Sequence, residues 1–240
     1  AQGNNTEAPA TLTYASVVSR ESVRIALTLA ALNDLEVKSG DIQNAYLTAP
    51  VTEKIWTILG PEFGNDAGKK AIVVRALYGL KSAGAAFRNH LADCMRFLGY
   101  ASCLADQDLW FKSEVNPSNG HKYYSYILLY VDDILCIHHD AETTIRRIDK
   151  YFHMKPDSIG DPDIYLGAKL RQTKLPNGVV AWALSPSKYV HEAVKSVEQH
   201  LAKEYDGRKL VKRASAPFQV NYRPELDITP ELGPIQAQYY

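Results

Sequence analysis

Two apolar, β-rich runs that flank a pair of adjacent aspartates constrain the fold of this chain more than any other feature. The runs occupy residues 126–130 and 134–137, and Val131, Asp132 and Asp133 lie between them. Such runs separated by a short turn predict a β-hairpin. Because successive side chains of a strand point to opposite faces, two adjacent acids inside a buried sheet would both be costly to desolvate. The pattern therefore predicts a hairpin whose acidic tip lies at the end of a sheet, where a bound cation would neutralise it.

The rest of the sequence predicts helices and short strands without the rhythm of a βαβ fold. Apolar residues at helical spacing predict helices over residues 19–32, 82–98, 141–152 and 187–205. Further strands are predicted over residues 35–41, 55–59, 71–75, 108–112, 164–171 and 179–184. The run 71–75 is expected to be a buried strand. We therefore predict an α+β fold in which an antiparallel sheet carries its helices on one face.

The charged residues balance, so any interaction with nucleic acid has to come from local patches. Lys plus Arg and Asp plus Glu number 27 each, which removes overall charge as an argument for nucleic-acid binding. Two stretches are nevertheless basic: residues 67–92 contain cations and no acid, and residues 188–213 contain more cations than acids. Each stretch is either a phosphate-binding surface or an ordinary solvated face.

Other features of the composition exclude several classes of protein. No run approaches the roughly 18 consecutive apolar residues of a membrane span. The three cysteines lack repeated spacing, which indicates neither a disulfide framework nor a zinc site and fits a reducing compartment. The chain does not begin with Met, and we expect it to be a fragment of a longer protein.

Asp41 is a third candidate acid, because it ends a short predicted strand and precedes a polar turn. Three carboxylates on neighbouring strand ends are the oxygen ligands that Mg²⁺ prefers, with room left for water and substrate phosphates. Two such ions about 3.5–4 Å apart would hold the attacking and leaving oxygens of a phosphoryl transfer. The alternative interpretation is a turn that carries two solvated aspartates, Asp132 and Asp133.

Six blocks in a fixed order resemble the reverse transcriptases of copia-type LTR retrotransposons. Residues 130–133 (Tyr-Val-Asp-Asp) look like the catalytic hairpin of reverse transcriptases, and residues 41–47 resemble the first catalytic motif of the same polymerases. Residues 75–82 resemble the block that identifies the copia-type branch. The remaining matches are residues 165–167, 184–190 and 216–218, so the resemblance covers residues 12–220 approximately.

This resemblance implies a reverse transcriptase palm, with partial fingers and a short helical thumb. The implied domains are partial fingers and palm over residues 1–185 and a thumb-like helix over residues 186–213. Residues 214–240 would be the irregular start of a truncated connection region.

The resemblance also implies roles for individual residues. Asp41 and Asp132 would be the main metal ligands and Asp133 the third acid, with two Mg²⁺ ions, or Mn²⁺ in their place, as cofactors. Tyr46 would be the aromatic gate that excludes a 2′-hydroxyl. The other residues implied to lie near the dNTP are Gln43 and Asn44, through side chains and backbone N–H groups, and Lys81 and Ser82. The residues implied to contact nucleic acid are Lys69, Lys70, Arg75, Arg88, Lys188, Lys209, Lys212 and Arg213.

The implied function is that of an RNA-directed DNA polymerase, in which a primer 3′-hydroxyl attacks the α-phosphate of a dNTP. The implied partners are an RNA or DNA template–primer, dNTPs, and a pol polyprotein with an integrase and an RNase H. The expected location is a cytoplasmic retroelement particle with a nuclear phase and no membrane. Residues 1–3 resemble the end of a string that follows the cationic fingers hairpin. We therefore expect a fragment that is truncated at both ends and has low activity alone.

Three positions depart from the family's usual residues, since Ser82 stands where Gln is usual, Gly84 where Pro is usual and Phe87 where Trp is usual. The shorter side chain of Ser82 either weakens the positioning of nucleotide or template or is a variant of the lineage. The alternative function is a non-catalytic palm remnant that binds nucleic acid. Another two-metal palm enzyme, such as a nucleotide cyclase, is disfavoured by residues 78–81 and 185–189.

Overall fold

The computed structural model of the protein describes residue 13, residues 15–51, residues 53–204 and residue 210. The chain divides into two compact units, Ala1–Leu184 and Ser185–Tyr240. The predicted irregular region 214–240 lies outside the described residues. In the described part of the chain, no helix is long and apolar enough to cross a membrane.

Helices and short strands are mixed along the chain, as the sequence predicts. The helices are α1 (Arg20–Leu32), α2 (Ala45–Thr48), α3 (Ala83–Phe97), α4 (Ala141–Phe152) and α5 (Ser187–Glu204). The first five strands are β1 (Glu36–Asp41), β2 (Trp56–Ile58), β3 (Lys70–Ile72), β4 (Ala101–Ser102) and β5 (Leu109–Val115). The other five are β6 (Lys122–Tyr130), β7 (Asp133–His138), β8 (Ile164–Tyr165), β9 (Ala168–Lys174) and β10 (Val180–Ser185). A 3₁₀ segment spans Pro61–Asp66.

The predicted hairpin lies within an antiparallel central sheet with the strand order β1-β7-β6-β5-β4. Its strands β6 and β7 pair from Tyr126 opposite Ile137 to Tyr130 opposite Asp133. β1 pairs along the other side of β7 and is therefore an edge strand of this sheet. The structure thus confirms the α+β class with an antiparallel sheet.

The prediction that the helices lie on one face of this sheet is wrong. Ile127 and Ile134 belong to the hydrophobic core that contains α3 and α4. Their neighbours Leu128 and Leu135 belong to a second core, which contains α1 and Tyr165 of β8. The physical reason is that β6 and β7 are apolar at successive positions, so both faces of the sheet need cover.

Local capping signals agree with the observed helix ends. Ser19 precedes α1 and accepts a hydrogen bond from the Ser22 N–H at 3.1 Å. Asp140 precedes α4 and accepts one from the Thr143 N–H at 3.2 Å. Side-chain oxygens at this position satisfy amides that have no partner within the helix. The bounds of α4 coincide with the predicted helix over residues 141–152.

The predicted strand over residues 164–171 is broken by a tight turn. Tyr165 pairs with Ala168, so Leu166 and Gly167 form a two-residue connection between β8 and β9. Both connecting residues have positive φ, at 52° and 72°, which is the pattern of a type I′ hairpin turn. Leucine rarely adopts that backbone conformation, so no local sequence signal predicts this turn.

The prediction of a buried strand over residues 71–75 is also wrong. The strand β3 is shorter and pairs with β2. Ala71 and Val73 are partly buried, whereas Ile72 is 44% exposed and Val74 is 66% exposed. A continuous apolar run in an extended chain presents side chains to both faces, and within the described residues this ribbon packs only one face against the core.

Candidate active site at the end of the central sheet

Backbone pairing brings the three candidate acids to one end of the central sheet. Asp41 is the last residue of β1 and lies opposite Asp133, the first residue of β7. The N–H of Ile42 donates to the carbonyl oxygen of Asp132 at 2.9 Å. The hairpin turn and the edge strand are therefore joined at the position of the acids, as the sequence predicts.

The turn that carries Asp132 holds a backbone conformation that is unusual for its sequence. Tyr130 pairs with Asp133, which leaves a two-residue loop of Val131 and Asp132. Val131 has φ of 56° and is not glycine. A positive φ at the first loop residue alone is the pattern of a type II′ turn, where glycine is favoured. A β-branched residue in this conformation is strained, and strain of this kind is concentrated at functional sites.

The environment of Asp133 disfavours its ionised form. Partial burial, followed by the negative charges of Asp41 and Asp132, raises the pKa of Asp133 from its ordinary 3.8 to about 6. The nearby Lys155 ammonium opposes this rise. Burial and the two neighbouring carboxylates thus both disfavour the ionised form of Asp133.

Sequence reasoning missed Lys155, which lies in the segment that follows α4. Its Nζ donates to Asp41 Oδ2 at 2.6 Å, and its backbone N–H donates to the Asp41 carbonyl at 2.8 Å. The ion pair with Asp41 raises the pKa of Lys155 above its ordinary value. The two residues are 114 positions apart, so no local pattern in the sequence indicates the contact.

The carboxylates of Asp41, Asp132 and Asp133 are chemically suited to bind a divalent cation. Their side chains are not positioned to bind one ion together. Carboxylates are the ligands that Mg²⁺ prefers, and Asp41 Oδ1 is buried without a hydrogen-bond partner among the described groups. Its other oxygen, Oδ2, is bound by Lys155. In the part of the chain that the structure describes, no group of three His, Cys, Asp or Glu side chains is positioned to hold a metal ion.

Tyr46 lies beside the acids on the short helix α2. Its ring centroid is 4.6 Å from that of Tyr78 and 6.0 Å from that of Phe87. Burial, and then the negative charge of Asp132, raises the pKa of the Tyr46 hydroxyl. The ring is thus packed against two aromatic residues, and its hydroxyl lies close enough to Asp132 to interact with its charge.

Two other residues that were predicted near the dNTP precede α2. Gln43 and Asn44 are exposed. The Gln43 N–H donates to the His153 carbonyl at 3.0 Å, so this amide cannot contact a triphosphate as the sequence prediction suggested. The side chains of both residues remain accessible.

The short side chain of Ser82 is used in a hydrogen bond within the protein. Ser82 is buried, and its hydroxyl donates to Glu53 Oε2 at 2.6 Å. This bond ties the start of α3 to the segment before β2. The neighbouring Lys81 is exposed.

The predicted nucleic-acid contacts on the first unit differ in their surroundings. Lys69 pairs with Asp66 at 2.6 Å on the surface, and Arg75 donates to the Thr48 carbonyl at 2.9 Å. Lys70 is exposed in β3.

Arg88 is partly buried and is bound by a buried carboxylate. Its Nε donates to Asp108 Oδ1 at 2.8 Å, and Asp108 is only 2% exposed. The Ser16 hydroxyl donates to the other oxygen of Asp108. This network joins α3 to the strand β5 and to the chain that enters α1, and it accounts for Arg88 without a ligand.

In the second unit, Lys188 is an exposed residue of α5. The other predicted contacts of that region, Lys209, Lys212 and Arg213, lie outside the described residues.

Comparison with known proteins identifies relatives over most of the chain. A family model described as "Reverse transcriptase (RNA-dependent DNA polymerase)" matches residues 3–205. The Pol polyprotein of transposon TNT 1-94 from Nicotiana tabacum is 31% identical over 198 residues, which are 79% of this chain and 14% of that protein. The Pol polyprotein of transposon RE1 from Arabidopsis thaliana is 26% identical over 196 residues, which are 80% of this chain and 12% of that protein.

A putative transposon Ty5-1 protein from Saccharomyces cerevisiae is 26% identical over 163 residues, covering 66% of this chain and 49% of that protein. The chain therefore spans a small part of the two plant polyproteins and about half of the yeast protein. These matches confirm the resemblance to copia-type sequences that the motifs indicated.

Proposed function

Because the chain belongs to the reverse transcriptase family, we propose that its acidic sheet end transfers nucleotides from dNTPs to a primer 3′-hydroxyl on an RNA or DNA template. The observation that carries the proposal is the pairing of Asp41 with Asp133, beside the bond between Ile42 and Asp132. Backbone hydrogen bonds fix the relative positions of the acids before a substrate binds. Positioned charge of this kind is the main contribution that proteins make to phosphoryl transfer.

Asp41, Asp132 and Asp133 would hold two Mg²⁺ ions, with Mn²⁺ as an alternative. When bound, such ions supply charge neutralisation at the attacking and leaving oxygens. Asp133 would gain from a nearby cation, because burial and then the neighbouring acids raise its pKa to about 6, and a positive charge favours its ionised form.

Tyr46 would exclude the 2′-hydroxyl of a ribonucleotide by contact. Its ring lies against Tyr78 and Phe87, which restricts its movement away from an incoming sugar. The accessible side chains of Gln43 and Asn44 would bind the same nucleotide, and Ser82 would support the site through its bond to Glu53.

Exposed cations would bind the phosphates of template and primer. Lys70 and Lys81 in the first unit and Lys188 in the second are exposed, and Lys209, Lys212 and Arg213 belong to the same proposal on the sequence alone. An integrase and an RNase H would be partners within a polyprotein, in a cytoplasmic retroelement particle with a nuclear phase.

Primer extension on an RNA template with dNTPs and Mg²⁺ tests the proposal. Asp41→Asn and Asp132→Asn should each lower extension by at least about a thousandfold, because each removes charge from the reacting site. Asp93→Asn is the matched control, since Asp93 is exposed and pairs with Arg96 in α3. Near-wild-type extension by either cluster variant would remove that residue from the proposed ligand set.

The same assay tests which cations of the chain bind the triphosphate, with Lys69, Lys70 and Arg75 as the candidates. Loss of a charged phosphate clamp slows other phosphoryl transfers by about 10³–10⁵-fold, so neutralising a cation that forms such a clamp should slow extension strongly.

A non-catalytic palm that binds nucleic acid is the second candidate function. The observation that favours it is the ion pair of Lys155 with Asp41, together with the lack of a ready three-ligand set among the described residues. This function predicts that the chain binds a primed RNA and does not extend it.

A further inference from the structure

Lys155 is fastened to Asp41 by its backbone as well as by its side chain. The Lys155 N–H donates to the Asp41 carbonyl at 2.8 Å, and Nζ donates to Oδ2 at 2.6 Å. The next residues continue this attachment, since the Asp41 N–H donates to Ser158 Oγ at 3.3 Å. Because the segment after α4 is anchored to the end of β1, the ammonium group is held at the acidic cluster.

The position of this ion pair suits neutralisation of the acidic cluster better than a contribution to the free energy of folding. Of the two side chains, Lys155 is 47% exposed and Asp41 is 28% exposed, and ion pairs with such access to water contribute little to folding. Asp41 Oδ1 remains buried without a partner among the described groups. Two further carboxylates, Asp132 and Asp133, add negative charge beside it.

We infer that Lys155 is a resident counter-ion, which takes the place of a divalent cation at Asp41 and competes with such a cation for Oδ2. The inference rests on the proposed function, because it takes the acidic cluster to be the metal site. Two positive charges that share one oxygen repel each other, so an ion that binds Asp41 has to displace the ammonium or bind more weakly beside it. This competition explains why the acids meet at the backbone while their side chains form no ready ligand set.

Binding of Mn²⁺ alone to the 240-residue chain tests the inference without any measure of activity. The free ion is followed by its paramagnetic resonance signal, which is lost on binding. Lys155→Met should bind Mn²⁺ about three- to tenfold more tightly than the wild type, because a competing charge is removed. Lys155→Arg, which keeps the charge, should stay within about twofold of the wild type.

Lys122→Met is the matched control, because it removes the same charge at the opposite end of β6 from the acidic turn. Its Mn²⁺ affinity should equal that of the wild type. A second neutral variant, Lys155→Gln, repeats the measurement with a polar side chain, and circular dichroism verifies the fold of each protein. Without added ions, Lys155→Met should melt close to the wild-type temperature, and Mn²⁺ should raise its melting temperature more than it raises that of the wild type.

The outcomes separate the inference from the proposed function. If Asp132→Asn weakens Mn²⁺ binding while Lys155→Met and Lys155→Gln leave it unchanged or weaker, the inference is wrong and the metal site stands. If no variant and no wild-type protein shows saturable binding, both are overturned. Tighter binding by the neutral variants, with Lys155→Arg and Lys122→Met unchanged, supports both.

Discussion

The raised pKa of Asp133 makes the stability of the metal-free protein depend on pH in a definite direction. Its carboxyl has a pKa of about 6 in the folded protein, against an ordinary value of 3.8. Between these values the folded state binds more protons than the unfolded state, so the wild type loses stability as the pH rises through this window. At a pH well above the pKa of Asp133 in the folded protein, the full loss of stability is present. At a pH below its ordinary pKa, there is no loss.

The substitution Asp133→Asn removes this loss. A difference of roughly two pKa units corresponds to at most about 3 kcal/mol. Asp133 is only half-buried, so screening by solvent lowers the figure, and we expect about 1–1.5 kcal/mol. Without Mg²⁺, the variant should therefore be more stable than the wild type by this amount at about pH 7.5 and should lose its advantage by about pH 4.

Urea denaturation followed by tryptophan fluorescence measures the difference, in a chelating buffer at several pH values across this range. Asp93→Asn serves as the control, because its exposed pair with Arg96 should give no comparable trend. Added Mg²⁺ should shrink the advantage of Asp133→Asn, since a bound cation favours the wild-type carboxylate. A constant difference at all pH values, or a less stable variant at about pH 7.5, would refute the assigned electrostatics.

Three further predictions concern the nucleotide site, the basic surfaces and the acidic turn. Tyr46→Val should admit rNTPs far better while retaining dNTP use, and an unchanged rNTP/dNTP preference in primer extension would reduce Tyr46 to a packing role. Charge reversal by Lys81→Glu, or jointly at Lys209, Lys212 and Arg213, should weaken template–primer binding and flatten its salt dependence; a wild-type slope in a binding titration would contradict phosphate contact. Val131→Gly should raise the free energy of unfolding by about 0.5–1 kcal/mol, because glycine relieves a positive φ, and a less stable variant in urea would show that the turn is not strained.

The sequence determined the features that depend on neighbouring residues. The hairpin of residues 126–137, its acidic tip and the bounds of α4 all follow from apolar spacing, turn position and capping. Each of these signals operates over a few residues, so each can be found without knowledge of the fold. The same is true of Asp41, which precedes a polar turn at the end of a predicted strand.

The tertiary structure alone decided which distant groups meet. Lys155 reaches Asp41 across 114 positions, and Arg88 pairs with the buried Asp108. The tertiary structure also decided that α1 packs on the second face of the sheet. The apolar runs of β6 and β7 indicate that both faces are buried, but they do not specify which helix packs on each face. A local sequence pattern shows which faces of a helix or strand are apolar or charged. Which residues pack against each face depends on the path of the whole chain, because those residues can be far away in the sequence.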